Sequence, residues 1–227
     1  MAYLLLFDGT DYYECGGSII SRRHILTAAH CLLTYNISSV TVRIGSAISN
    51  AGGYTYETSL FSVHPRYNST TFDYDVAILR IPQGMTIDNN TTMIVHLVEM
   101  GTAVPEGTLL DVSGWGSTKG NLAGNLRAIT VPTLTNEECD VQLRNITPRM
   151  LCAGLKEGGK DSCQVRSIAY SHLPPRVHYA IPSSTLSSVG VTTGLCPSCH
   201  CNKSLFIIVI IDDHNNNKSP PFLNRSI

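Results

Sequence analysis

Three short stretches hold side chains whose types and spacing could do chemistry. In Leu26-Thr27-Ala28-Ala29-His30-Cys31 a histidine lies among small residues and beside a cysteine, where it can be held firmly with one ring face open. An imidazole so held can move protons near neutral pH, although a lone histidine serves equally well as a hydrogen-bonded structural residue. In Asp73-Tyr74-Asp75-Val76-Ala77-Ile78-Leu79, Asp75 enters an apolar run. A carboxylate there needs a partner, and an imidazole N–H fits; a strand-end turn residue is the plainer alternative. Gly158-Gly159-Lys160-Asp161-Ser162-Cys163 puts Asp161 in a glycine-rich loop pinned by a cysteine, which suits a cation pocket or a solvated loop. A fourth stretch, Cys196-Pro197-Ser198-Cys199-His200-Cys201, has the thiols and imidazole of a zinc site. Zinc takes four ligands at fixed spacing and no second C-x-x-C follows, so no metal and no cofactor is expected.

The elements that must position these groups read as short strands. Val40-Thr41-Val42-Arg43-Ile44 alternates apolar and polar with the period of a half-buried strand. Residues 76–81 form an apolar run stopped by Pro82; residues 109–115 and 126–131 read as further strands, the latter ended by Pro132. Helical signal is confined to Thr135-Asn136-Glu137-Glu138, a capping box opening a short helix towards Arg144. The pattern predicts an all-β chain, with residues 83–108 connecting two halves.

Composition bounds what such a chain can be. Its 227 residues are 43% hydrophobic and 15% charged, with a net charge of −1, which gives no basis for a nucleic-acid partner. No apolar run approaches the roughly 20 residues of a membrane span, so no membrane partner is expected. Eight cysteines and the sequons at Asn36, Asn68, Asn89, Asn90 and Asn145 point to an oxidising, secretory history. The averages hide a break. Residues 1–164 hold 16 of the 18 glycines and carry a net −4, whereas residues 165–227 hold two glycines and carry a net +3. Residues 1–7 lack a basic flank, a long apolar run and a small-residue cleavage site, so they read as a truncated first strand rather than a signal peptide.

Together, Glu14-Cys15-Gly16-Gly17-Ser18-Ile19-Ile20, the His30 and Asp75 segments, Ser113-Gly114-Trp115-Gly116, Met150-Leu151-Cys152-Ala153-Gly154 and Gly158–Gln164 resemble the trypsin-like (chymotrypsin-family) serine proteases. The resemblance covers residues 3–164. It implies two antiparallel six-stranded β-barrels, the first at about 1–82, a linker at about 83–108 and about half of the second at 109–164. It implies His30 as general base, Asp75 as the carboxylate that orients it, and Asp161 as the floor of a pocket selecting Arg or Lys. It also implies disulfides Cys15–Cys31 and Cys139–Cys152, each closing a loop of about 15 residues worth roughly 3 kcal/mol. The intact product is expected to be a secreted monomer acting on protein or peptide substrates. Nothing resembles the family's calcium loop, since residues 42–60 supply only Glu57 as a carboxylate.

After Gln164 the family continues Gly-Asp-Ser-Gly-Gly-Pro, but this chain reads Val165-Arg166-Ser167-Ile168-Ala169-Tyr170. The nucleophilic serine, the backbone N–H groups of the oxyanion hole and the aspartate that receives a freed Ile-Val-Gly-Gly terminus are not in the pattern. Loss of the serine alone from such a triad costs on the order of 10⁶ in turnover. A catalytically dead chain is therefore expected, with 165–227 an unrelated tail: a translated intron, since Val-Arg can be encoded across a splice donor, or a frameshift. The rival expectation is a non-catalytic protease homologue that binds or regulates a partner. Within the tail, residues 205–211 have high β-propensity and no charge, an aggregation liability.

Overall fold

The computed structural model describes residues 1–97, 102–118, 121–122 and 124–155, and beyond them the strands at 168–169, 189–192 and 204–210. The chain runs β1 (Ala2–Phe7), β2 (Tyr12–Ser21), β3 (His24–Thr27), α1 (Ala29–Leu33), β4 (Ser39–Ile44), β5 (Tyr54–Thr58), β6 (Phe61–Val63) and β7 (Ala77–Arg80). It continues through β8 (Leu109–Gly114), the hairpin β9 (Ser117–Thr118) and β10 (Asn121–Leu122), β11 (Arg127–Leu134), α2 (Asn136–Leu143) and β12 (Met150–Leu155). Last come β13 (Ile168–Ala169), β14 (Val189–Thr192) and β15 (Ser204–Ile210). The fold is mostly β, with few and short helices.

The first sheet has the order β5-β4-β1-β2-β3-β7-β6, all antiparallel neighbours. Its two outermost strands, β5 and β6, are separated in sequence only by residues 59–60. A sheet whose ends are two residues apart must curl on itself. Thr58 fixes the corner: its hydroxyl donates to the Arg80 carbonyl (2.7 Å) and accepts from the Leu60 N–H (3.0 Å). The sheet counts seven strands because this corner divides one bent run into two. Inside the curl lie Leu4, Leu6, Ile19, Val42, Ile44 and Leu79. Strand β4 shows why: Val40, Val42 and Ile44 are buried while the residues between them face outward.

The second sheet has the order β13-β8-β11-β12-β15-β14 around Leu110, Val112, Val131 and Ala153. Strand β11 does not stop at Pro132 as the sequence suggested. Pro132 is the last residue paired with β8, and pairing with β12 starts at Thr133, so its missing N–H interrupts neither ladder's interior. Thr135 caps α2 as the capping box implies, accepting the Glu138 N–H at 3.1 Å. A second barrel only about half present would leave β12 with a bare edge, but β15 pairs with β12 from Met150 to Leu155 and β14 pairs with β15. The apolar, uncharged run that looked like an aggregation liability is the strand that occupies this edge.

A third apolar cluster joins the sheets. Leu26, Val76 and Ile78 from the first meet Met150 from the second. The Trp115 indole N–H donates to the Ala47 carbonyl (2.9 Å), and its ring meets Tyr3 edge-on at 5.6 Å. The chemistry-bearing residues lie along this seam.

Candidate active site

His30 reaches its place through a tight strand-to-helix passage. Strand β3 ends at Thr27, whose buried hydroxyl donates to the Gly16 carbonyl of β2 at 2.9 Å. Ala28 and Ala29 are buried, and only small side chains let α1 begin this close to the core. Cys31, the next residue, is disulfide-bonded to Cys15 of β2, so the turn carrying His30 is tied covalently to the sheet. A second disulfide, Cys139–Cys152, ties α2 to β12.

Asp75 comes from the other side, at the entrance to β7. Its approach is conformationally demanding: Phe72 and Tyr74 both have positive φ, at 57° and 53°. Non-glycine residues hold such angles only when their surroundings over-determine them. Here the Val76 N–H reaches back to the Tyr74 carbonyl (2.7 Å), the His64 N–H donates to the Val76 carbonyl (3.0 Å) and the Asn68 N–H to the Asp73 carbonyl (3.0 Å). The result is a fully buried carboxylate.

Both of its oxygens are used by one residue. Asp75 Oδ1 accepts the His30 backbone N–H at 2.8 Å, and Oδ2 lies 2.7 Å from His30 Nδ1. The second contact assigns Nδ1 as the protonated nitrogen, because an ionised carboxylate only accepts. The imidazole is partly exposed, with its Nε2 3.6 Å from Cys31 Sγ and the Phe72 ring edge-on at 6.1 Å. Tyr67 packs against the core nearby: burial, then the Asp75 charge, push its phenol well above the ordinary value and keep it neutral. Cys15, His30 and Cys31 also place three metal-ligand atoms within 4.8 Å of one another. The disulfide consumes both sulfurs, so neither can supply the thiolate that a metal needs.

A second polar cluster, which sequence reasoning missed, braces the same loop. Asp73 accepts from Thr147 Oγ1 (3.0 Å) and from Arg149 Nε (2.9 Å), and Arg149 Nη2 completes a two-pronged contact. The Arg149 guanidinium lies over the Tyr74 ring (4.8 Å), and that ring stacks on His64 (4.7 Å). Burial works against the Asp73 charge, but the Arg149 and Thr147 hydrogen bonds outweigh it and hold its pKa below the ordinary value. The clasp links the second half of the chain to the residue two places before Asp75. Nothing local in the sequence could pair Asp73 with a guanidinium 76 positions away. Thus the structure brings His30 and Asp75 together. Asp161 and the cysteine cluster at 196–201 lie outside the described residues.

Comparison with known proteins agrees with this layout. The Trypsin family model matches residues 2–167. "Trypsin 5G1" of Aedes aegypti is 40% identical over 161 residues, covering 69% of this chain and 59% of its own length. The trypsin of Simulium vittatum is 41% identical over 157 residues (67% of this chain, 63% of its own), and the vitellin-degrading protease of Bombyx mori 33% over 165 residues (70% and 61%). The chain thus spans 59%, 63% and 61% of the length of these three curated relatives. Among solved structures, HL collagenase matches with a TM-score of 0.71 at 21% identity, covering 93% of this chain and 87% of that one. A scabies mite inactivated protease paralogue matches with 0.69 at 20% identity, covering 92% and 85%. These two carry the likeness of fold alone. With the family model and the insect relatives both matching, the chain belongs to the trypsin family of serine proteases.

Proposed function

We propose that this chain carries the proton-handling half of a serine endopeptidase acting after Arg or Lys, and that as written it does not cleave. The observation that carries the reading is the His30–Asp75 pair. With Nδ1–H donated to a buried carboxylate, Nε2 is the nitrogen free to take a proton from an attacking hydroxyl and pass it to the leaving amine. Asp75 fixes the tautomer and stabilises the imidazolium that forms between the two transfers. Asp161, carried over from the resemblance to the family's loop motif, would be the floor of a pocket that answers a basic side chain. What the base would act on is the difficulty. After Gln164 the sequence gives Val165-Arg166-Ser167, with no Gly-Asp-Ser-Gly-Gly-Pro to supply a nucleophile and its flanking N–H groups. A base without a hydroxyl to activate, and no donors for the developing oxyanion, has no acyl transfer to catalyse. The two disulfides and the sequons support passage through an oxidising secretory compartment.

An activated phosphonate ester that stays covalently bound to activated serines tests this reading. Incubated with the full chain, it should leave no adduct by intact-mass analysis; an adduct on Ser162 or Ser167 would overturn it. One observation favours a second reading, a non-catalytic homologue that binds a partner: β15 occupies the β12 edge, so that edge is not bare. Sequencing the locus beyond the Gln164 codon separates the two. In-frame Gly-Asp-Ser-Gly-Gly-Pro codons after a splice acceptor support the interrupted enzyme, and their absence supports the binding homologue.

A further inference from the structure

The five sequons in the described residues are all solvent-exposed at Asn, but the structure treats them unequally. In Asn36-Ile37-Ser38 the central residue is buried and the Ser38 hydroxyl donates to the Phe7 carbonyl at 2.9 Å. In Asn145-Ile146-Thr147 the Thr147 hydroxyl is committed to Asp73 at 3.0 Å. The overlapping pair at Asn89 and Asn90 ends in Thr91, which donates to Asp88 Oδ2 (2.6 Å), and Thr92, which is buried. Asn68-Ser69-Thr70 differs from them in its hydroxyl: its three residues are exposed, as those of Asn89-Asn90-Thr91 are, but no hydrogen bond among the described residues engages the Thr70 hydroxyl.

The asparagine of that sequon is also set for transfer. Asn68 Oδ1 accepts the N–H groups of Thr70 (2.9 Å) and Thr71 (3.2 Å). With the oxygen turned onto its own loop, the Nδ2 amide is the edge left for another molecule. A glycosyltransferase must hold the amide and the sequon hydroxyl together, so a hydroxyl already donated within the fold competes with it.

We propose that Asn68 is an N-glycan acceptor and the one its structure offers most openly. This rests on the secretory route proposed above. The donor is an oligosaccharide linked through pyrophosphate to a lipid. Nδ2 attacks the anomeric carbon, the new C–N bond forms as the C–O bond to pyrophosphate breaks, the lipid pyrophosphate leaves with the electron pair, and Nδ2 gives up one proton. The glycan then grows from the loop that also carries Phe72, against His30, and Asp75. Large partners would meet it at that rim.

The test is expression of the full chain behind a cleavable secretion leader in a glycosylating eukaryotic cell. Peptide N-glycosidase in heavy-oxygen water converts each glycosylated Asn to labelled Asp, which peptide mass spectrometry reads site by site. This resolution is needed because three more sequons, at Asn202, Asn217 and Asn224, begin outside the described residues. The expected result is label at position 68, more complete than at Asn36, Asn89, Asn90 or Asn145. Thr70→Ala should abolish it while keeping the Asn68 turn, and Thr70→Ser should retain it. Secreted chain with Cys15–Cys31 oxidised but Asn68 unlabelled overturns the proposal and leaves the secretory reading standing. Chain that is neither oxidised nor glycosylated overturns both.

Discussion

Asp75 gives both of its oxygens to one residue, and that economy holds the His30 ring and backbone together. The local patterns, small residues around His30 and an apolar run after Asp75, left plainer readings open, and it was their resemblance to the family's motifs that implied the pair. Asp161 stands on the family match alone, and its role is open to direct trial. In a chain whose residues from 165 onward are replaced by the family's continuation, and which carries a free Ile-Val-Gly-Gly terminus, cleavage should follow Arg and Lys. A carboxylate at the bottom of a dry pocket tolerates a cation and rejects an apolar side chain, which leaves it unpaired. Asp161→Ser should then lower the kcat/KM preference for Arg over Phe or Leu by roughly a few hundred- to a few thousand-fold, the equivalent of about 3–5 kcal/mol. If that preference survives the substitution, Asp161 is a loop residue.

Among the elements, one contact braces the seam and another sets the packing inside the first sheet. The Asp73–Arg149 clasp joins the strained loop before β7 to the start of β12. Its carboxylate titrates below the ordinary value of 3.8, so its contribution is fully present above the unfolded-state pKa and fades as pH falls through the folded one. Asp73→Asn should therefore cost about 1–2 kcal/mol at neutral pH, Arg149 being only partly buried, and progressively less below about pH 4. Denaturant unfolding of both chains across that range measures it; a gap that stays constant with pH would assign the loss to packing instead. Gly17 of β2 makes the other contact. A Cβ there would lie 2.4 Å from Ile25 Cγ2 and 3.3 Å from the Leu26 carbonyl of β3. Ile25 is β-branched and stiff, so it yields little. Gly17→Ala should destabilise by about 1–3 kcal/mol, read as a lowered Tm with unchanged secondary structure. The clasp could not be read from the sequence: its partners share no period and no motif. Nor could the bend at residues 59–60, which depends on the Thr58 hydroxyl finding the Arg80 carbonyl across the sheet.

At the scale of the whole molecule, the family pattern and the fold part company near Gln164. Up to that point, period-two strands and glycine turns agree with one another, so an all-β chain was readable from them, while the cysteine pairing rested on the family resemblance. Beyond it, the sequence has β-propensity at residues 204–210 but nothing that names β12 as its partner, so the pairing emerged only in three dimensions. The central claim is that a seated His30–Asp75 pair without a nucleophile does no hydrolysis. The most direct measurement is kcat/KM of the purified full chain on a short peptide amide with Arg before the scissile bond. The expected result is no turnover above the buffer rate, and no difference between the parent chain and His30→Ala. Turnover that co-purifies with the chain and disappears in His30→Ala would contradict it.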